Sequence, residues 1–396
     1  MTTSQIVLLL LIGYIIFTID KKQENFPVPI ILLMLGISLY FIPYFSTIEV
    51  SGQMIYHVFL PALLFTSAYQ FPADGLRKNG GIIVFLATAG IMMTVALLGA
   101  AIYALSGPFV SIPFIGAMLL AAILTPTDPV SVVSVIKKAS GDEKVADVVE
   151  GESMINDGTS IVIFSVLAGM FANSRSVSLF SFIVEFLLVS LGGVALGVMF
   201  GWLMAKAVHF THHRQYQVML SIILAYGIFN LAEAIGVSGV LATVFAGIML
   251  SFEYGTASRE EHFRESLDGF WGIIEPSILS LLFLLIGIQA ADTLLFDSWG
   301  FAIIVFVLSL IVRFIVIMGT TQMFSKWRHK INWRESVLIS WSGLKGSMSV
   351  YLILSLYSET NSGDADIIIS LGFAAVFLSL VIQSLGVSPL SKKLIK

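Results

Sequence analysis

The chain has 396 residues, of which 57% are hydrophobic and 12% charged, with a formal net charge of −4 and no cysteine. At a mean hydropathy of +0.95 it is far too apolar for a soluble domain and reads as an all-α polytopic membrane protein. A large water-exposed domain, a disulfide framework and a thiolate metal site are excluded, and nothing points to a cofactor or to nucleic acid.

The first apolar stretch, Met1 to Thr18, lacks a basic flank and a small-residue cleavage signal, so it is expected to stay as a span. In chain order about thirteen stretches are long enough to cross a bilayer at roughly twenty residues each. They centre near Leu10, Leu35, Leu63, Met92, Leu124, Phe164, Gly192, Ala225, Val244, Leu282, Val307, Val350 and Ala375. Of the 21 Lys and Arg, Arg175 stands alone on one side and Arg313 and Lys345 lie within spans. All the others flank the opposite side or the tail, which places the N-terminus outside and the C-terminus in the cytoplasm. The expected location is a prokaryotic plasma membrane, with the spans in contact with lipid. After Leu390 only a short tail remains, so no soluble regulatory domain is expected.

The fifth stretch is interrupted by Thr125-Pro126-Thr127-Asp128-Pro129. Each proline lacks an N–H and disfavours helical geometry in the residue before it, so helix hydrogen bonding must fail there. The sixth carries Glu-Gly-Glu-Ser-Met-Ile-Asn-Asp-Gly at 150–158. Helical spacing sets Ser153 under Asp157 and Glu152 under Asn156, giving two adjacent polar faces. A charge inside a span costs at least ~2.5–3.5 kcal/mol, so these groups need partners or a task. Further on, Glu275 precedes Pro276, either lining a cation path or capping a helix break, and Arg313 lies within the eleventh stretch. The twelfth is interrupted at Ser342-Gly343-Leu344-Lys345-Gly346-Ser347.

The two interruptions fall at matching places if spans one to six, residues 5–172, and eight to thirteen, residues 215–390, are inverted repeats joined by span seven. Paired interrupted helices crossing at the midplane point to a transporter's binding site, where freed carbonyls coordinate cations. Asp128 would offset the positive half-helix ends and Lys345 the negative ones. A blander reading treats the breaks as packing devices, since Gly and Pro are frequent in membrane helices; the ionisable group at each break favours function.

With Thr-Asp-Pro at 127–129, Glu-Gly-Glu-Ser-x-x-Asn-Asp at 150–157, Phe-Leu-Leu-Ile-Gly at 283–287, Arg313, and Gly-Leu-Lys-Gly at 343–346, the chain resembles the NhaP-type monovalent cation/proton antiporters, relatives of animal sodium/hydrogen exchangers. The resemblance implies that Asp157 is the carboxylate shared by cation and proton. It makes Asp128 and Ser153 side-chain ligands and Thr127 a carbonyl ligand of Na⁺. By the same likeness Asn156 orients the site, Glu152 pairs with Arg313, and the protein is a homodimer serving pH homeostasis and salt tolerance. Two departures stand out: Lys345 where many relatives have Arg, and Leu63-Leu64-Phe65-Thr66-Ser67 where some prokaryotic relatives carry an acid.

The expected function is therefore antiport of Na⁺ or Li⁺ for H⁺, electroneutral at one to one, by alternating access. Burial disfavours a bare carboxylate while a bound cation favours the ionised form, so proton and cation compete for Asp157. The alternatives are K⁺ or NH₄⁺ exchange on the same site and a sodium-coupled organic-solute symporter. An enzyme is not expected, because the aspartates lack the Gly-x-Gly-Asp turn of an intramembrane aspartyl protease.

Overall fold

The computed structural model places several helix ends at prolines or glycines, such as Pro72, Pro113 and Gly236. It describes residues 1–19, 28–48, 50–128, 132–133, 136–137, 143–173, 178–210, 213–254, 261–293, 296–359 and 363–394. Pro129, Arg175 and the loop cations Lys21, Lys22, Lys138, Arg259 and Lys396 lie outside the described residues.

The main helices are α1 Thr3–Ile19, α2 Val28–Tyr40, α3 Leu60–Gln70, α4 Ala73–Phe85, α5 Ile91–Ser106, α6 Phe114–Ile123, α7 Glu143–Asn173 and α8 Leu179–Phe210. They continue as α9 Arg214–Ile235, α10 Gly239–Tyr254, α11 Glu261–Thr293, α12 Trp299–Met323, α13 Trp333–Trp341, α14 Ser347–Glu359, α15 Gly363–Leu378 and α16 Ser384–Leu394. One-turn π-helices precede α3 at Ile55–Phe59, join α4 to α5 at Leu86–Gly90 and join α15 to α16 at Ser379–Gln383. Among the described residues, seven helices are long and apolar enough to cross a membrane, and five shorter apolar helices of 10–17 residues accompany them. The protein is an integral membrane protein.

Packing divides the helices into two groups. In one, α1, α2, α3, α8, α9, α10 and α11 lie together; in the other, α4 to α6 and α12 to α16 surround α7. Small residues bring the first group close. Gly193, Gly197 and Gly201 of α8, spaced by four, run against Ser238, Ala242 and Ala246 of α10, where a methyl group on Gly201 would lie 2.8 Å from the Ala246 carbonyl. In lipid, van der Waals contact between such small-residue faces holds helices together. Gly158 of α7 touches Leu241 of α10, which joins the two groups.

Two long helices show how burial differs. The apolar window of α7 is 67% buried against 22% for α8. α7 is therefore the interior helix, and it carries the acidic sequence block. Trp271 is 1% exposed and donates to the Ser221 hydroxyl at 3.1 Å. Burying the indole requires a partner for its N–H, and α9 provides it.

Candidate functional site

Helix α6 ends at Ile123, where the Thr125 hydroxyl bonds back to the Ala121 carbonyl at 2.7 Å. Non-helical chain follows through Thr127 and Asp128. The other interruption lies between α13 and α14, over residues 342–346. The two stretches touch directly, the Asp128 amide donating to the Leu344 carbonyl at 2.8 Å. An N–H and a C=O released from helical bonding thus satisfy each other, as buried backbone groups must.

Close contact explains both glycines of the second break. A methyl group on Gly346 would lie 2.8 Å from Asp128 Cγ, and one on Gly343 would lie 2.7 Å from Arg313 Cζ. No other residue type fits either place without moving a charged side chain.

Helix α7 presents its polar residues to the first break. Ser153 donates its hydroxyl to the Thr127 carbonyl. Asn156 donates to the Thr127 hydroxyl at 2.8 Å and to Glu152 Oε1 at 3.1 Å, and its Oδ1 accepts from the Thr127 amide at 3.4 Å. Asn156 is fully buried and uses both ends of its amide, so it is a fixed strut between Thr127 and Glu152.

Glu152 forms a two-pronged ion pair with Arg313 of α12, Nη1 to Oε1 at 3.0 Å and Nη2 to Oε2 at 2.6 Å. Both side chains are buried, at 3% and 8% exposure, and the bidentate geometry satisfies both carboxylate oxygens. Glu152 is committed to this pair. Lys345 is buried at 4% exposure and lies within electrostatic reach of both members of the pair. Its backbone amide donates to the Ser379 hydroxyl at 2.9 Å.

Asp157 has no such neighbour. Its Oδ1 is buried and makes no hydrogen bond among the described residues. Asp157, Asp128 and Ser153 share the wall of a cavity of ≈ 40 Å³ with Ser67 and Ser347. Leu60, Leu63, Leu64 and Leu279 form its apolar side. A water needs about 10–15 Å³ measured this way, so the space holds about three. That is room for one monovalent cation with part of its hydration shell.

Among the residues singled out in the sequence, Asp157, Asp128 and Ser153 thus face one cavity. Thr127 and Asn156 sit behind them, with the Thr127 carbonyl occupied by Ser153. In the third helix Ser67, not Thr66, lines the space; Thr66 is fully buried and bonds back to the Ala62 carbonyl at 2.8 Å. Helix α11 runs without a break through Pro276, so Glu275 caps nothing and remains partly buried within electrostatic reach of Asp128 and Glu150. The sequence reading missed Ser67, Ser347, Ser379 and Gln383. Serines within spans commonly bond back to their own helix, so residue type alone did not distinguish these.

The family described as sodium/hydrogen exchanger, transmembrane, matches residues 6–393. The chain is 32% identical over 395 residues to the Na⁺/H⁺ antiporter NhaG of Bacillus atrophaeus, covering 96% of this chain and 72% of that protein. It is 29% identical over 402 residues to the Na⁺/H⁺ antiporter NhaH of Halobacillus aidingensis, covering 98% and 97%. Its fold is similar to that of the sodium proton antiporter MjNhaP1 from Methanocaldococcus jannaschii, with a TM-score of 0.78 at 19% identity, covering 99% of this chain and 98% of that one.

Proposed function

The chain belongs to the sodium/hydrogen exchanger family, whose members are transporters and not enzymes, and on that premise we propose that it exchanges Na⁺ or Li⁺ for H⁺ across a prokaryotic plasma membrane. The observation that carries this reading is the buried Asp157 oxygen, without a hydrogen-bond partner among the described residues, facing one cavity with Asp128 and Ser153. A small hard cation needs several oxygens in place of its water, and this wall offers carboxylates and hydroxyls from separate segments. Turning the Ser153 hydroxyl away from Thr127 would free a carbonyl as well.

Asp157 carries the exchange. A bare carboxylate in this apolar surrounding is unfavourable, and either a proton or a cation relieves it, so the two occupy the site in turn. Reorientation only with one or the other bound converts that competition into exchange. Glu152 is unsuited to the role because Arg313 already neutralises it. Asn156, Thr127 and Lys345 hold the crossing in shape around the ligands.

The wider reading is of thirteen crossings, with the N-terminus outside, inverted repeats over residues 5–172 and 215–390, and a homodimer in the membrane. K⁺ or NH₄⁺ on the same site remains the second reading, because carboxylate and hydroxyl oxygens accept those ions too. The cavity's volume, ≈ 40 Å³, speaks against a sodium-coupled organic solute, which would need more room than about three waters occupy.

The test is cation-dependent collapse of a preformed pH gradient in reconstituted vesicles, run with Na⁺, Li⁺, K⁺ and NH₄⁺ in turn. Dissipation by Na⁺ and Li⁺ is expected. A gradient left standing by every cation would overturn the proposal.

A further inference from the structure

The second interruption is held by residues of the last helical run. Ser379 and Gln383 both lie on the π-turn between α15 and α16, and both are fully buried. The Ser379 hydroxyl accepts from the Lys345 amide at 2.9 Å and donates to Gln383 Oε1. Gln383 Nε2 donates to the Trp341 carbonyl at 2.7 Å and to the Gly343 carbonyl at 3.4 Å, the groups released where α13 ends. Trp341 returns the contact, its indole N–H donating to the Gln383 carbonyl at 2.9 Å. A π-turn displaces helical backbone bonds and is frequent at functional sites.

The first interruption is served in the same manner. There a hydroxyl, Ser153, and an amide, Asn156, reach from the helix that follows the break and hold the backbone and side chain of Thr127. Each broken stretch therefore has one hydroxyl and one carboxamide fixing its freed groups. The difference lies in charge. The first break carries an acid, Asp128, with Asp157 following the amide on α7, whereas the second carries a base, Lys345.

From this we infer that Ser379 and Gln383 are positioning residues of the cation site, acting through the 343–346 segment on Asp128 and on the cavity wall. That segment supplies the Leu344 carbonyl bonded to the Asp128 amide, abuts the Asp128 side chain at Gly346, and leads into Ser347 on the cavity wall. Releasing it moves two parts of the cation's surroundings while Asp157 stays in place. The inference rests on the proposed exchange at Asp157.

The experiment measures initial rates of Na⁺-driven proton movement in vesicles against Na⁺ concentration for Gln383→Leu, Ser379→Ala and Ser379→Thr. Gln383→Leu and Ser379→Ala are expected to raise the apparent KM for Na⁺ by about tenfold, with maximal rate per folded protein much less affected. The double variant should be no worse than the more affected single one, because the pair acts as a unit. Ser379→Thr, which keeps the hydroxyl, should restore a KM near wild type. Na⁺-dependent thermal stabilisation in detergent supplies a second readout: its midpoint should shift in the same direction. A role in helix packing alone would lower folded yield and leave KM unchanged, and that result, or an unshifted stabilisation midpoint in Ser379→Ala, overturns the inference. A wild-type protein without Na⁺-driven proton movement would instead defeat the exchange reading itself.

Discussion

The Asp128 amide donates to the Leu344 carbonyl at 2.8 Å, so the two interrupted stretches are stitched together at the residue that brings a carboxylate to the cavity. Gly346 lies against the same side chain. We predict that Gly346→Ala, which sets a methyl group 2.8 Å from Asp128 Cγ, leaves the protein inserted and folded but removes most exchange. Asp128 is held by its backbone and cannot retreat far. Transport assays on protein checked by gel filtration test this; wild-type rates would show that Asp128 does not need its present position.

Asp157→Asn should abolish exchange while insertion and folding persist, because a neutral amide neither releases a proton nor balances a cation. Asp128→Asn should be similarly damaging. Substantial Na⁺-driven proton movement by Asp157→Asn in reconstituted vesicles would remove that residue from the mechanism.

Glu152→Gln should act on stability first. Removing one partner from a buried ion pair costs about 3–5 kcal/mol, since the remaining charge is left unpaired. The Arg313 guanidinium would lose its counter-charge within electrostatic reach of Lys345, and one of its two N–H donors would face the Gln amide nitrogen. A clearly lower thermal midpoint in detergent, with the apparent Na⁺ affinity of the surviving protein little changed, is the expected outcome. The reverse pattern would make Glu152 a cation ligand.

Much of this site was readable before any coordinates. Paired prolines around Asp128 and the glycines at 343–346 announce helix breaks through backbone chemistry alone. The i, i+4 spacing on α7 placed Ser153 with Asp157 because helical geometry is fixed. What could not be read depends on distance across the fold. Nothing in the pattern around Gln383 tells that its amide reaches Trp341 and Gly343 some forty positions earlier, and a π-turn leaves no compositional mark. Glu233 illustrates the same limit. It accepts from the Tyr56 hydroxyl at 2.8 Å and the Gly239 amide at 2.7 Å, joining α9 to the start of α10 and to the π-turn before α3, partners that lie far off in sequence or across a helix end.

The proposed competition for Asp157 predicts the direction of the pH response. Protons on the Na⁺-loading side should raise the apparent KM for Na⁺ as pH falls, by up to about tenfold per unit once protonation dominates the empty site, following mass action. Maximal rate at saturating Na⁺ should hardly change. Initial-rate series at several pH values check this, and a KM independent of pH combined with a falling maximal rate would place proton binding on a group other than the one that holds the cation.

The last prediction concerns stoichiometry and follows from Asn156. A carboxylate at this position would supply a second proton-binding group. Here the position is a neutral amide spent on Thr127 and Glu152. Lys345 is buried at the crossing, but it lies beside the Glu152–Arg313 pair and does not line the cavity of Asp157. Asp128 faces the cation too, yet a bound cation and the positive ends of half-helices both favour its ionised form, so it should keep its charge throughout the cycle. With one competing carboxylate, one cation is expected to exchange for one proton, with no net charge crossing. A charge moved through the membrane is worth about 2.3 kcal/mol per 100 mV, so coupling to voltage would be plain if it existed. Vesicles clamped with K⁺ and valinomycin at zero and at about −100 mV should therefore give equal initial rates of Na⁺-driven proton movement. In unclamped vesicles a sodium gradient should generate no membrane potential. The appearance of one would mean that a second titrating group, with Asp128 and Lys345 the first to examine, takes part in the cycle.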